Sequence, residues 1–400
     1  MAKKRFLKTI TCIFSFLYII PNAYSQREDG VRIRFNGFGD ITAGQNWGGP
    51  ANSTADSLFK SNGEDPFPKG THQGINVQGL DLVNTVFLNE NLTVQSEVNL
   101  QVPRGGTGGP ELDIERMYVD YKIHNKFNLQ AGLIFTPIGF INRNLYSRAW
   151  LMNSVHMFRF VEEEYGFVPN HFIGTTAYGS FNLNERHSLK YIAGLGNARG
   201  KAPNDNIYAR SDAGYQATGL LEWIIQGPKD FRIGISGFLS EVPTYKGLSG
   251  YGSTIMTHDS LKTIINENGF NPYIHYSGKL FEFLSEYHYI TYTGTSVKGT
   301  PYTQSLVCEL AINTKVNEKR LAPYIRYDFI QLPENGGPYL GNRDIGGGAF
   351  QKYYEGDLSV FMTGISYDIS SFNRLKLEYA RYFDGPFTQN ALVLQTAYGF

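Results

Sequence analysis

Apolar and polar side chains alternate residue by residue over about ten positions at a time, and the chain repeats this pattern along most of its length. Between Leu92 and Val102, the residues Leu92, Val94, Val98, Leu100 and Val102 fall on one parity. Thr93, Gln95, Glu97, Asn99 and Gln101 fall on the other. Phe127, Leu129, Ala131, Leu133 and Phe135 share a parity, and Phe231, Ile233 and Ile235 alternate with Arg232 and Gly234. Leu321, Ile325, Tyr327 and Phe329 alternate with Arg320, Arg326 and Asp328, as Leu375, Leu377 and Tyr379 do with Arg374, Lys376 and Glu378. Successive side chains of a strand point to opposite faces, so each segment reads as a strand with one apolar and one strongly polar face. Strands of a sheet sandwich are commonly about five or six residues long, shorter than these.

About 16 such segments can be drawn, at 31–43, 74–88, 92–102, 111–123, 127–135, 171–181, 188–196, 215–225, 231–242, 270–276, 280–293, 302–315, 320–332, 355–368, 374–383 and 391–400. The apolar phase slips within 74–88, 111–123 and 355–368, where bulges are expected. With both termini at one end, the connections there are 89–91, 124–126, 182–187, 226–230, 277–279, 316–319 and 369–373, none longer than six residues. Asn89, Asn125, Gly227-Pro228 and Asn317 supply turn chemistry in them. The connections at the opposite end are 44–73, 103–110, 136–170, 197–214, 243–269, 294–301, 333–354 and 384–390, none shorter than seven. An even strand count with short turns at one end and long loops at the other is expected of a closed antiparallel transmembrane β-barrel, turns periplasmic and loops external. The fold class predicted is all-β.

The N-terminus points to export. Lys3, Lys4, Arg5 and Lys8 precede an uncharged, largely apolar run from Thr9 to Ile20. Pro21 ends that run, and Ala23-Tyr24-Ser25 gives the small-x-small pattern of a signal-peptidase site. Residues 1–25 are therefore predicted to be a cleaved signal peptide and 26–400 a single barrel domain beginning at Gln26. The run is too short to span a bilayer, which takes roughly 20 residues as a helix. No later stretch approaches such a length, which excludes a helical membrane protein. Of 36 basic and 36 acidic residues the first 25 positions hold four basic ones, leaving 32 against 36, a net charge of −4. That mild excess gives no reason to expect a nucleic-acid partner. Only Cys308 survives cleavage, so no internal disulfide is available.

At the C-terminus, Leu392, Leu394, Tyr398 and Phe400 share a parity. The segment resembles the terminal strand of outer-membrane barrels, and Tyr398 and Phe400 would then be the signal that the barrel assembly machinery reads. The stretch Gly132-Leu133-Ile134-Phe135-Thr136-Pro137-Ile138-Gly139, within the region Gly132 to Phe181, resembles the corresponding part of the phosphate-selective porin O/P type family and related Bacteroidetes porins. The resemblance implies a Gram-negative outer-membrane porin of about 16 strands, in contact with outer-membrane lipid, often a homotrimer, with the third external loop folded into the lumen as a constriction. Here that loop is 136–170, the longest of the eight. It carries Arg143, Arg148, His156 and Arg159, then Glu162, Glu163 and Glu164, opposed charges that would set a transverse field across a pore. The wall would add Arg32, Arg34, Glu97, Arg326, Asp328, Arg374, Lys376 and Glu378, which either face water or pair across strands and anchor the loop.

The function these features favour is passive diffusion of small hydrophilic solutes or ions. Two alternatives stay open, a substrate-specific channel for phosphate or oligosaccharide and a non-conducting structural or adhesive barrel. The third loop has three Arg, no Lys and three adjacent Glu, a poor match to the lysine-rich cluster of phosphate-selective relatives. Tyr353, Tyr354 and Tyr382 would serve a sugar track, although most Tyr and Phe suit the two interfacial girdles. No cofactor is expected: the eight His have no H-x-x-x-H or Cys/His ligand spacing. No G-x-S-x-G elbow is present, and Cys308 lies on the apolar parity with Leu306, Leu310 and Ile312, so enzymatic activity is not expected.

Overall fold

A computed structural model of the chain describes residues 30–47, 72–101, 111–146, 149–161, 167–198, 214–227, 229–245, 262–294, 301–331, 357–384 and 387–400. The strands are β1 (Arg32–Trp47), β2 (His72–Phe87), β3 (Leu92–Gln101), β4 (Glu111–His124), β5 (Phe127–Phe135) and β6 (His171–Asn182). They continue as β7 (His187–Asn197), β8 (Tyr215–Ile225), β9 (Asp230–Tyr245), β10 (Lys262–Ser277), β11 (Phe281–Gly294) and β12 (Tyr302–Ile312). The last are β13 (Thr314–Val316), β14 (Lys319–Gln331), β15 (Leu358–Ser370), β16 (Asn373–Asp384) and β17 (Phe387–Gly399). Each pairs antiparallel with its neighbours, and β1 pairs with both β2 and β17, so the sheet closes on itself. β13 is three residues long and extends the β12–β14 pairing towards their turn, which leaves 16 full staves and one extra short strand.

Closure turns alternation into an inside and an outside. On β15 to β17 the outward Phe361, Ile365, Leu377, Leu392 and Leu394 are exposed, while the inward Val360, Met362, Glu378, Val393 and Gln395 are buried. Exposed Trp47, Tyr215 and Tyr302 ring the long-loop end, and Tyr121, Phe127, Phe281 and Phe372 ring the short-turn end. Two aromatic girdles around an apolar band are what a barrel surrounded by lipid requires.

Two of the three phase slips are bulges. Asp40 pairs with Gly79 and Ile41 with Val77, which leaves Gln78 as an extra residue. Glu97 pairs with Arg116 and Val98 with Ile114, which leaves Glu115. In 355–368 the phase holds from Leu358 to Asp368, where the inward Leu358, Val360 and Met362 are apolar because they pack inside the barrel; the register shift of β15 falls at its far end, between Asp368 and Ser370. The segment 270–276 begins eight residues too late, since β10 starts at Lys262. Beyond Phe270 its outward positions are the polar Asn268 and Asn266 and its inward Ile265 is buried, so the polarity inverts where the ladder rises past the apolar band. β17 likewise starts at Phe387, which reduces the expected seven-residue loop 384–390 to residues 385–386.

The closing seam runs from Phe38 opposite Gly399 to Trp47 opposite Asn390. Phe400 carries it one residue further, exchanging backbone hydrogen bonds of 3.0 and 2.8 Å with Gly37. The rings of Phe400 and Tyr398 lie over the outward faces of Gly37 and Gly39, where a β-carbon would collide with them. An aromatic laid over a strand glycine restores packing that the missing side chain gives up.

Candidate functional site

Loop 136–170 enters the barrel at the long-loop end and descends the whole height of the inner wall. Its two ends are held together by Thr136 N–H donating to Asn170 O (2.8 Å) and by Asn142 Nδ2, which donates to the carbonyls of Thr136 (2.9 Å) and Asn170 (3.0 Å). The short helix α1 (Ile141–Asn144) follows at once. The backbone N–H groups of Phe140 and Ile141 donate to Glu286 Oε2 on β11 at 2.8 and 3.0 Å, so a wall carboxylate receives the free donors that begin every helix. His288 Nε2 stands 2.7 Å from the other oxygen of Glu286. Gly139 makes the approach possible. Its φ is +60°, its N–H donates to Ser236 Oγ (2.8 Å), and a β-carbon there would strike the Glu286 carboxylate.

Further along, the loop reaches the short-turn end. Asn153 Nδ2 donates to Glu282 (3.1 Å) and Glu309 (3.3 Å), and its Oδ1 accepts from Arg320 (2.8 Å), the second residue of β14. Trp150 packs beside Gly399, the last residue of β17. The chain then climbs back, with Phe160 against the ring of His288 (centroids 4.3 Å apart). Between loop and wall lies a dry core. Ile138, Phe140, Ile141, Met152, Phe158, Phe160, Val161, Phe167 and Val168 of the loop pack on Leu220, Phe238, Ile265, Leu284, Ile290, Val307, Ile330 and Leu358 of β8 to β15. This explains why inward positions on those strands are not uniformly polar.

Most of the charged residues predicted for the pore wall are on the inward face, and the loop covers those of β14 and β16. Arg326 is 1% exposed; it pairs with Asp328 and donates to Ser154 Oγ (2.9 Å), His156 O (2.7 Å) and Met157 O (2.8 Å), with Phe158 stacked 3.8 Å from its guanidinium. Lys376 Nζ donates to Ala149 O (2.5 Å) and Ser154 O (2.8 Å). Glu378 accepts from Val155 N–H (2.9 Å), Tyr324 OH (2.7 Å) and His156. Arg374 joins Asp368 (2.7 Å) and donates to Met152 O (3.2 Å). Glu97 is buried against Arg116 (2.5 Å). Arg32 and Arg34 are exposed at the short-turn end of β1, beside the Phe87 ring.

Of the predicted constriction residues, Arg143, His156 and Arg159 are described. His156 is tied to Glu378 and meets the ring of Tyr382 edge-on, and Arg159 stands over the same ring at 5.6 Å. Arg148, Glu162, Glu163 and Glu164 lie outside the described residues, as do Tyr353 and Tyr354. Among the described ones, Arg143 points towards a cluster not expected from the sequence: Glu222 (3.6 Å) and Tyr273 OH (3.4 Å), with Tyr273 OH donating to Glu222 at 2.5 Å. Lys190 is near enough to Arg143, Glu222 and Arg232 to interact with them electrostatically, and Arg232 is itself paired with Asp230 at 2.7 Å. Parity was the available signal, since Lys190 alternates with Leu189 and Tyr191, and Glu222 with Leu221 and Trp223.

Across from the loop, the inward face of β2 to β7 is polar and half-buried in its short-turn half, whereas towards the long-loop end it carries the buried Val83, Glu97, Ile134 and Phe172. Thr85, Gln95, Tyr118, Asp120, Gln130, Tyr178, Ser180 and Lys190 line the short-turn half. Tyr118 OH donates to Gln95 Oε1 and Tyr178 OH to Asp120 Oδ1, each at 2.7 Å. Among the described residues no three His, Cys, Asp or Glu side chains gather as a metal site would, and Cys308 points outward with its Sγ 3.3 Å from Ser285 Oγ.

No family model and no curated protein sequence matches the chain. Solved structures do match its fold. An anion-selective porin from Comamonas acidovorans is 10% identical, with a TM-score of 0.56 over 92% of this chain and 100% of that one. OmpF of Salmonella typhi is 13% identical, with a TM-score of 0.56 over 94% of this chain and 99% of that one. The trimer form of OmpT, an outer membrane protein of Vibrio cholerae, is 13% identical, with a TM-score of 0.55 over 93% and 100%. At these identities the likeness is one of architecture.

Proposed function

We propose that the chain is an outer-membrane porin through which small hydrophilic solutes and ions diffuse passively, in a water-filled lumen narrowed by loop 136–170. The observation that carries this reading is the division of the inner wall. The loop occupies β8 to β17, while polar, half-buried residues line the short-turn half of the inner wall along β2 to β7. A polar path enclosed by an apolar outer band is the requirement for solute passage. In this reading residues 1–25 are removed on export, the short turns face the periplasm, Tyr398 and Phe400 address the barrel assembly machinery, and the porin assembles as a homotrimer.

The test is reconstitution into planar lipid bilayers. The expected result is an ohmic current whose conductance rises, or whose reversal potential in a salt gradient shifts towards cations, in Arg143→Ala. Arg148→Ala and Arg159→Ala extend the test around the loop. A folded chain that passes no current would sink the reading and leave a structural barrel. A second reading, a channel specific for anionic solutes such as phosphate, draws on the cations Arg143 and Lys190 beside Glu222, with Arg232, itself paired with Asp230 at 2.7 Å, at the edge of the group. Inhibition of the chloride current by phosphate in the wild type, lost in Lys190→Gln, would favour it over the general channel.

A further inference from the structure

Arg381 lies on the outward parity of β16, between Tyr379 and Phe383, and is exposed. Its guanidinium rests 5.2 Å from the Phe383 ring and forms no ion pair among the described residues. An Arg facing hydrocarbon at the bilayer midplane would cost about 2–4 kcal/mol, falling to about 0–1 kcal/mol at the interface. An unpaired outward Arg therefore marks the level of the lipid headgroups. The register places Arg381 opposite Asn390, and Asn390 opposite Trp47, in one row across β16, β17 and β1. Asn390 Oδ1 accepts from Tyr379 OH at 2.7 Å, and the rings of Trp47 and Tyr379 stand 6.1 Å apart.

Directly below this row, on the side of the apolar band, the outer surface is hollowed. A groove of about 500 Å³ is lined by Ala43, Gly44, Gln45, Ile75, Leu377, Leu392 and Leu394. The small side chain at Ala43 leaves its floor low, because Leu394 stands beside it on β17 and Ile75 beside it on β2. Leu377 lies four residues below Arg381 on the same strand, roughly 13 Å along it at about 3.3 Å per residue. A cation at headgroup level, flanked by interfacial aromatics and set above an apolar furrow, matches an amphiphile with an anionic head.

We infer that this seam face is a binding site for a lipid whose phosphate-bearing head carries net negative charge, its phosphate on Arg381 and one acyl chain lying in the groove over Ala43. The inference rests on the membrane placement proposed above but not on conduction. It is tested on the mature chain in dodecyl maltoside micelles by native mass spectrometry, titrating bis-phosphorylated lipid A and, separately, phosphatidylcholine. One lipid A is expected to stay bound per chain, with phosphatidylcholine retained at least tenfold more weakly. Arg381→Gln removes the charge, and Ala43→Phe fills the furrow with the charge intact; each is expected to weaken lipid A at least tenfold. Both variants face away from the lumen, so their bilayer conductance should equal that of the wild type, which also certifies their fold. Unchanged retention in either variant, or equal retention of phosphatidylcholine, overturns the site. A chain that conducts but holds no lipid refutes the site alone, whereas one that holds lipid but does not conduct refutes the channel alone.

Discussion

Replacing Arg326 with Ala should detach the middle of the loop from the wall while the barrel stays closed. The wild-type guanidinium is fully buried, pairs with Asp328, and satisfies Ser154 Oγ and the carbonyls of His156 and Met157. Its removal leaves Asp328, itself 1% exposed, as an uncompensated buried charge. Breaking a buried pair from one side costs about 3–5 kcal/mol. At 1.4 kcal/mol per factor of ten, the local opening of residues 149–161 should become about a hundredfold to a few thousandfold more populated. The readout is hydrogen exchange at Val155, whose N–H is bonded to Glu378 on a different strand and so reports opening of the loop. Resistance of the barrel to sodium dodecyl sulfate at room temperature should persist. The double variant Arg326→Met with Asp328→Leu removes the stranded carboxylate but leaves the carbonyls of His156 and Met157 without their donor, so it should recover only part of the protection. Val155 protection within tenfold of wild type in Arg326→Ala would refute the anchoring argument.

Gly139→Ala combines a left-handed backbone with a collision against Glu286, and the αL conformation alone costs a non-glycine residue about 1–3 kcal/mol. Protease should then cut loop 136–170 faster in micelles; unaltered cleavage would count against the cap on α1. Leu377→Arg puts a charge on the apolar band, about 2–4 kcal/mol unfavourable near the midplane, and should lower the folded fraction in thin bilayers measurably by gel mobility. Equal yields would mean that this face does not meet lipid. Deleting Phe400 uncovers Gly37 and removes two backbone hydrogen bonds from the seam, so refolding into vesicles should slow severalfold, a rate read by gel shift.

The barrel was legible in the sequence because lipid and water impose opposite demands on alternate residues, and β5 and β8 fall where the alternation puts them, at Phe127–Phe135 and Tyr215–Ile225. Legibility fails where that contrast fails. β10 loses its first eight residues because Asn266 and Asn268 face outward above the apolar band. β15 reads as out of phase because Val360 and Met362 meet the loop residue Val155 where water was expected. The site was legible in kind more than in partners. Charges at Arg326, Lys376 and Glu378 were readable as inward from parity. That their partners are backbone groups of residues 149–157 depends on how a 35-residue loop lies in the lumen, which no local pattern encodes. Gly139 shows the same limit: its need for glycine comes from Glu286, nearly 150 positions away.

The order of the contacts along the chain sets a timetable for assembly. Apart from β5, whose Phe135 meets Tyr146, loop 136–170 emerges before the strands it will lie against, and its fasteners arrive in sequence at Ser236, Glu286, Arg326, Lys376 and finally Gly399. Until the last staves join the ring, Phe158 and Phe160 on the loop and Ile265, Ile330 and Val360 on the wall lack their final cover. The insert is therefore fully fastened only once β16 and β17 have joined the ring, as a bolt shot home once the door is shut. A chain stalled one strand short would carry an unlatched interior, open to proteases and chaperones as the finished barrel is not.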